Sequence, residues 1–114
     1  MEYLLLIYSD ETQEANLTQE QREAMIAPYM AFAKETRERG MYVTGSEAYP
    51  SSSGRTVRVR DGKIIAAEGS FAPGKDQVGG FFILKCQDID EACAMAAKLP
   101  GAAHGAIEVR PLVG

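Results

Sequence analysis

Two segments of this chain are apolar at almost every position, and they constrain the fold more than any other feature. Residues 2–9 read EYLLLIYS, and residues 81–86 read FFILKC. A β-strand points successive side chains to opposite faces of its sheet, so a strand without polar alternation needs apolar surroundings on both faces. The sequence therefore predicts a sheet that is covered on both sides.

Periodicity along the chain predicts one domain with the order strand, helix, strand, hairpin, strand, helix, strand. The predicted strands are 2–9, 42–49, 55–60, 63–67, 81–86 and 106–110, and the predicted helices are 17–39 and 88–99. Two helices on one face of a largely antiparallel sheet are typical of a ferredoxin-like α+β domain. Because two helices cover only one face, we expect a second copy of the chain to cover the other, which gives a homodimer.

Local signals set several boundaries. Thr18 and Gln21 have the spacing of a capping box at the start of the first helix. Pro28 lies well inside that helix, where it removes a backbone hydrogen bond, so we expect a kink or two helical pieces. Asp61-Gly62 predicts a type I′ turn in the hairpin.

Paired glycines precede the strand at 81–86. Gly79-Gly80 is not a phosphate-binding loop, because it leads into a strand and no Lys-Ser or Lys-Thr follows it. Its expected role is a bulge or a close backbone approach at the start of the strand.

Composition excludes several classes of function. The formal net charge of −4 argues against nucleic-acid binding, which needs a basic field. No segment approaches the roughly 20 apolar residues that span a membrane, and no signal peptide is predicted. The two cysteines, Cys86 and Cys93, are interpreted as small buried side chains in a reducing cytoplasm. With one histidine and no cluster of ligands, we expect neither a metal nor a cofactor.

Glu68 and His104 are the candidate catalytic residues. Imidazole titrates near neutral pH, so His104 could act as a general acid or base. Glu68 is predicted on a loop after the hairpin, where polar site residues concentrate. The structural alternatives are a histidine that caps the loop before the last strand and a carboxylate that is solvated or caps a helix.

Three arginines and an aromatic residue are the candidate ligand-binding residues. Arg58 and Arg60 share one face of a predicted strand, and Arg110 could lie across the sheet from them, so that together they hold a carboxylate or phosphate. Phe71 could stack on a ligand. The alternatives are an exposed strand face for the arginines and a core or interface position for Phe71.

The chain resembles the YCII-related family, in the subgroup named for an Asp-Gly-Pro-Phe motif, over nearly its whole length. The resemblance is carried by YLLLIY at 3–8, TVRVRDGK at 56–63, GGFF at 79–82, DEA at 90–92 and HGAIEVRPL at 104–112. It implies a homodimeric α+β barrel among mostly uncharacterised bacterial proteins. Relatives are linked to sigma factors of the extracytoplasmic-function type, and a distant branch includes an enzyme that acts on a chlorinated hydroxyaromatic compound.

Two departures limit what the resemblance transfers. The name motif reads EGSF at 68–71, which keeps the carboxylate as Glu68 but loses the proline, and Pro73-Gly74 stand where the family usually has polar residues. More distant members place a histidine in the first helix, where it is proposed to act with an aspartate. This chain has no histidine there, so that dyad is not transferred.

Three functions remain open. The first is a homodimeric module that binds or is regulated by a small molecule. The second is a cofactor-free enzyme in which Glu68 and His104 exchange protons with a small, for example hydroxyaromatic, substrate while an arginine holds its anion. The third is an interaction domain for an extracytoplasmic-function sigma factor.

Overall fold

The structure is a computed structural model that describes residues 1–114, and its elements follow the predicted order with short helices added. Beyond the predicted elements it contains two four-residue helices and one 3-10 turn at Ser51–Ser53. The elements are β1 Glu2–Asp10, α1 Glu11–Glu14, α2 Gln19–Glu38, β2 Tyr42–Glu47, β3 Arg55–Arg60, β4 Lys63–Glu68, β5 Asp76–Lys85, α3 Ile89–Ala96, α4 Gly101–His104 and β6 Ala106–Pro111.

Four strands form one antiparallel sheet in the order β2-β5-β1-β6. Strands β3 and β4 form a separate two-stranded hairpin, inserted between β2 and β5. The two central strands, β5 and β1, are the two apolar segments of the sequence. The predicted ferredoxin-like α+β fold is confirmed.

One face of the sheet packs against the helices and forms the core. Alternate residues of β1 and β5, such as Leu5 and Leu84, are fully buried there, and Phe32 of α2 packs with them. Helix α3 contributes Ala92 and Met95 to the same cluster. Both long helices therefore lie on one face, as predicted. No helix is both long and apolar enough to cross a membrane.

The opposite face of the sheet carries the remaining apolar side chains of the two central strands. Leu4 and Leu6 of β1 lie directly across from Ile83 and Phe81 of β5. These four side chains are only half-buried, in contrast to their neighbours on the helix side. We call this surface, with Tyr8 next to it, the open face.

Helix α2 begins with the predicted capping box. The Thr18 hydroxyl accepts from the Gln21 backbone N–H at 3.1 Å, and the Gln21 side chain accepts from the Thr18 N–H at 2.9 Å. The helix is one element that contains Pro28, rather than two pieces. After it, Gly40 adopts a φ of 71°, a left-handed conformation that favours glycine.

The second predicted helix is shorter than expected. It ends at Ala96 rather than Leu99, and Pro100 precedes the separate helix α4. Four-residue helices are too short for hydrophobic periodicity to reveal, which is why the sequence predicted a loop here. Cys86 is buried as predicted, and burial raises the pKa of its thiol. Cys93 is exposed, so its predicted burial is wrong.

Both glycine-based predictions are confirmed. Asp61 and Gly62 have φ values of 52° and 73°, which is the pattern of a type I′ turn. In the β1–β5 pair, Ile7 lies opposite Gly80 while Tyr8 lies opposite Val78. The intervening glycine is therefore an extra residue in β5, a bulge near the start of the strand.

Candidate functional site

A cavity of about 380 Å³ lies between helix α2 and the helix-facing side of the sheet. Its wall combines apolar side chains, backbone of two strands and a few polar groups. The lining residues are Ile7, Ser9, Glu14, Met25, Ile26, Tyr29, Met30, Ala33, Arg37, Tyr42, Gly45, Ser46, Glu47, Gly79, Gly80 and Phe82.

Two glycines leave the floor of the cavity without side chains. Gly45 lies opposite Phe82 and Gly80 lies opposite Ile7, so both are on the face that packs against the helices. A Cβ atom at Gly45 would lie 2.6 Å from the Phe82 ring, and one at Gly80 would lie 2.9 Å from the Ser46 carbonyl oxygen. Close packing of β2 and β5 therefore requires glycine, and the missing side chains leave space under α2.

The roof of the cavity is the first half of α2. The sequence predicts one helical face with Met25, Tyr29, Phe32 and Thr36 at regular spacing. The structure divides this face: Phe32 and Thr36 are buried in the core, whereas Met25 and Tyr29 line the cavity. The floor is lower under the first half because of the glycines, so the same apolar face closes over empty space there.

Polar groups enter the cavity from several elements. Glu14 comes from the end of α1, Glu47 from the end of β2 and Ser9 from the end of β1. Tyr29 is half-buried, and burial raises the pKa of its phenol, with a further increase from the negative charge of Glu14. The phenol therefore stays protonated at neutral pH and presents a hydrogen-bond donor.

A positively charged side chain, Arg37, lies at another part of the wall. The Arg37 guanidinium carbon is 4.3 Å from the centroid of the Tyr42 ring, which is a cation–π contact. Both residues line the cavity. The cavity thus has two carboxylates and one guanidinium, and that guanidinium is already engaged with an aromatic ring.

The raised pKa of Tyr29 makes a pH-dependent prediction. Because the folded-state pKa lies above the ordinary value of 10.0, the stability linked to this phenol is complete below that value and is lost as pH rises through the folded-state pKa. Tyr29→Phe should therefore make the stability fall less steeply above about pH 10. Tyrosinate absorbance should also lose the component that this raised pKa produces. Tyr49→Phe, at an 87% exposed tyrosine, is the control and should leave that component in place.

The predicted catalytic residues lie outside this cavity. Glu68 is the last residue of β4, not a loop residue, and its carboxylate is 3.9 Å from the Arg55 guanidinium. The Glu68 side chain is 84% exposed. His104 is the last residue of α4 and is exposed. Neither residue lines the cavity, and their catalytic pairing stays a prediction.

The predicted ligand-binding residues are divided between two parts of the chain. Arg58 and Phe71 come together, with the guanidinium carbon 5.1 Å from the ring centroid. Arg58 and Arg60 share one face of β3, as predicted. Arg110 lies instead in the four-stranded sheet, where its Nε donates to Glu108 at 2.7 Å. The three arginines therefore do not share one sheet, and their ligand-binding role stays a prediction.

The sequence contains a partial signal for the cavity in its paired glycines. Gly79-Gly80 was correctly interpreted as structural, but a residue without a side chain on an otherwise bulky face also leaves a void. Glu14 and Glu47 gave no signal, because nothing in their local sequence places them near α2. No group of three or more His, Cys, Asp or Glu side chains comes together in a way that could hold a metal ion.

Comparison with known proteins identifies relatives over the full length. A sequence model described as the YCII-related domain matches residues 1–114. The chain is also similar to an uncharacterised protein of Rhizobium meliloti (strain 1021), with 32% identity over 114 residues that cover 98% of this chain and 92% of that protein.

Proposed function

The chain belongs to the YCII-related domain family, and we propose that it is a homodimeric module, of the Asp-Gly-Pro-Phe subgroup, that binds a small molecule between α2 and the sheet. The observation that carries the proposal is the cavity. Its volume of about 380 Å³ lies in the range of small-molecule sites, about 300–1,000 Å³. A mainly apolar wall with a few converging polar groups is the usual form of such a site.

The wall suggests the chemistry of the ligand. Met25, Met30 and Phe82 offer an adaptable apolar surface for a hydrocarbon or aromatic body. Glu14 and Glu47 accept hydrogen bonds, and their charge favours a ligand with a cationic or hydrogen-bond-donating group. Arg37 carries one positive charge against the two carboxylates, so the charged groups of the wall are negative in sum. We therefore propose a small apolar amine as the ligand class.

Pairing of two copies through β5 lets a bound ligand regulate the dimer. Gly45 and Gly80 form the floor of the cavity on the helix side, while Phe81 and Ile83 of β5 lie on the open face. The same strand therefore contacts the ligand with one face and the proposed partner with the other. A ligand that shifts β5 changes the packing of the open face.

The free thiols Cys86 and Cys93 agree with a cytoplasmic location.

Methionine-methyl NMR tests the site with defined probes. The chain has five methionines, of which Met25 and Met30 line the cavity, while Met41 and Met95 are buried in the core. Benzylamine should shift the methyl signals of Met25 and Met30 and leave those of Met41 and Met95 in place. Benzoate, which has the same ring and the opposite charge, should cause little change, because Glu14 and Glu47 repel it.

Two variants locate the binding further. Glu47→Gln should weaken benzylamine binding by about tenfold, since a hydrogen bond to a charged group contributes about 1.5–3 kcal/mol. Ala33→Leu should abolish the shifts by filling the cavity from α2. Equal shifts with benzylamine and benzoate would exclude the amine class, and no shift of Met25 or Met30 with either probe would contradict the site.

Acid–base catalysis and sigma-factor binding remain the alternative functions. Catalysis by Glu68 and His104 requires that a ligand or a second copy bring the two residues to one reacting group. If it does, Glu68→Gln should lower turnover far more than stability, and His104→Ala should remove one limb of the pH–rate profile. Sigma-factor binding is tested by mixing the purified chain with that factor, which should then form a stable complex.

A further inference from the structure

The β3–β4 hairpin projects from the body of the molecule as an arm. Its two strands pair with each other and with no other strand. The radius of gyration is 15.7 Å, whereas a compact domain of this length has about 13 Å. The molecule is also flat, with extents of 47 × 40 × 19 Å. We call residues 55–68 the arm.

The arm has an apolar face and a basic face. Val57 lies across from Ala66 and Val59 lies across from Ile64, so these four side chains share one face, which ends at the Arg55–Glu68 pair. Val57, Val59 and Ile64 are 62%, 59% and 79% exposed. The other face carries Arg58, Arg60, Lys63 and Ile65. We call the surface of Val57, Val59, Ile64 and Ala66 the arm face.

We infer that the arm face packs against a second copy of this chain and holds the homodimer together in addition to the open face. This inference rests on the proposed pairing of two copies. A two-stranded hairpin alone in water is marginally stable, and three exposed β-branched side chains on one face add to the cost of leaving it bare. Contact with another chain removes both problems.

The area of the open face favours the arm as a second contact. Four strands of about six residues, at about 3.3 Å per residue and 4.8 Å between strands, give a flat footprint of about 400 Å². A stable interface buries about 800 Å² per partner. The arm adds about 200 Å² by the same measure. The arm therefore enlarges the paired footprint by about half, toward the area that a stable dimer buries.

The net charges of the arm and of the body favour a second copy as the occupant. The arm carries Arg55, Arg58, Arg60 and Lys63 against only Asp61 and Glu68, so it is positive. The whole chain has a formal charge of −4, and the remainder is therefore more negative than the whole. A positive arm on a negative body is attracted to the body of an identical molecule, and such complementarity guides pairing.

Sedimentation equilibrium on matched variants tests the inference. Val57→Thr/Ile64→Thr replaces two side chains of the arm face and keeps β-branched residues in both strands. It should raise the dimer dissociation constant at least tenfold. The control, Ile65→Thr, makes the same replacement on the basic face of the same hairpin and should leave the constant within about twofold.

The outcomes separate the arm from the dimer itself. If the unaltered chain is a monomer, the proposed pairing and the inference both fail. If the chain is a dimer and the arm-face variant pairs as tightly as the unaltered chain, only the arm contact is overturned. The latter result would leave a different partner for the arm face.

Hydrogen exchange provides a second readout that does not depend on affinity. In the dimer, the backbone amides of residues 55–68 should be protected, and dilution to the monomer should remove the protection. Exchange of these amides at one rate in dimer and monomer would overturn the inference, because a hairpin packed against a partner opens less often than a free one.

Discussion

Ile83→Lys should convert the proposed dimer to a monomer while the chain remains folded. Ile83 lies on the open face, between Leu4 of β1 and Thr44 of β2. In the single chain this side chain is half-buried at an uncovered surface, so a lysine there can extend its ammonium group into water. In a face-to-face dimer the same ammonium group would be buried without a partner. The variant should therefore lose pairing but not its fold.

The size of the effect follows from the symmetry of the pair. An uncompensated buried charge costs about 3–5 kcal/mol, and a twofold interface contains the substitution twice. We expect the dimer dissociation constant to rise more than about a hundredfold, since 1.4 kcal/mol is a factor of ten. Light scattering across a dilution series, with circular dichroism to check the fold, measures both properties.

Ile89→Lys is the matched control for this prediction. It makes the same replacement at the first residue of α3, where the isoleucine is 44% exposed on the helix side of the molecule. It changes the net charge by the same amount and should leave pairing intact. Loss of pairing in both variants would mean that the effect is not specific to the open face, and retained pairing in Ile83→Lys would show that the open face is not the interface.

The fold was largely readable from the sequence because its strongest signals are local. The Thr18–Gln21 capping box and the Asp61-Gly62 turn each depend on a few consecutive residues, and both have the predicted geometry. The apolar runs at 2–9 and 81–86 were also correctly predicted to lie in strands, and these strands are the two central ones of the sheet. Helices α1 and α4 were missed, since four residues do not complete a periodic pattern.

The candidate site was less readable because it depends on contacts between distant segments. Glu14 and Glu47 meet at the cavity only after β2 has paired with β5 and α2 has packed over both. The chemically distinctive residues of the sequence are instead Glu68 and His104, which are exposed and lie outside the cavity. Residue type identifies candidates for proton transfer, but the shape of a cavity follows from tertiary packing.

Gly105→Ala should destabilise the fold by about 3 kcal/mol or more, at the upper end of the cost of overpacking. Gly105 lies between α4 and β6, and a Cβ atom there would be 2.1 Å from the Tyr8 carbonyl oxygen. That distance is far inside van der Waals contact, and the atom it meets is backbone. The β1–β6 register places Tyr8 opposite Ala106. The segments that contain Gly105 and Tyr8 therefore cannot move apart without breaking the end of that ladder.

Urea unfolding of Gly105→Ala beside Gly54→Ala tests whether the close approach, rather than the loss of glycine, causes the effect. Gly54 has a φ of −86°, and its added Cβ would lie 3.4 Å from the Ser51 carbonyl oxygen, so alanine fits there with little strain. Gly54→Ala should change the unfolding free energy by less than about 1 kcal/mol. Equal midpoints for the two variants would mean that α4 can move away from Tyr8 at little cost. A large difference would mean that the junction of α4 and β6 is fixed by backbone contact, and that the position of His104, one residue earlier, is fixed with it.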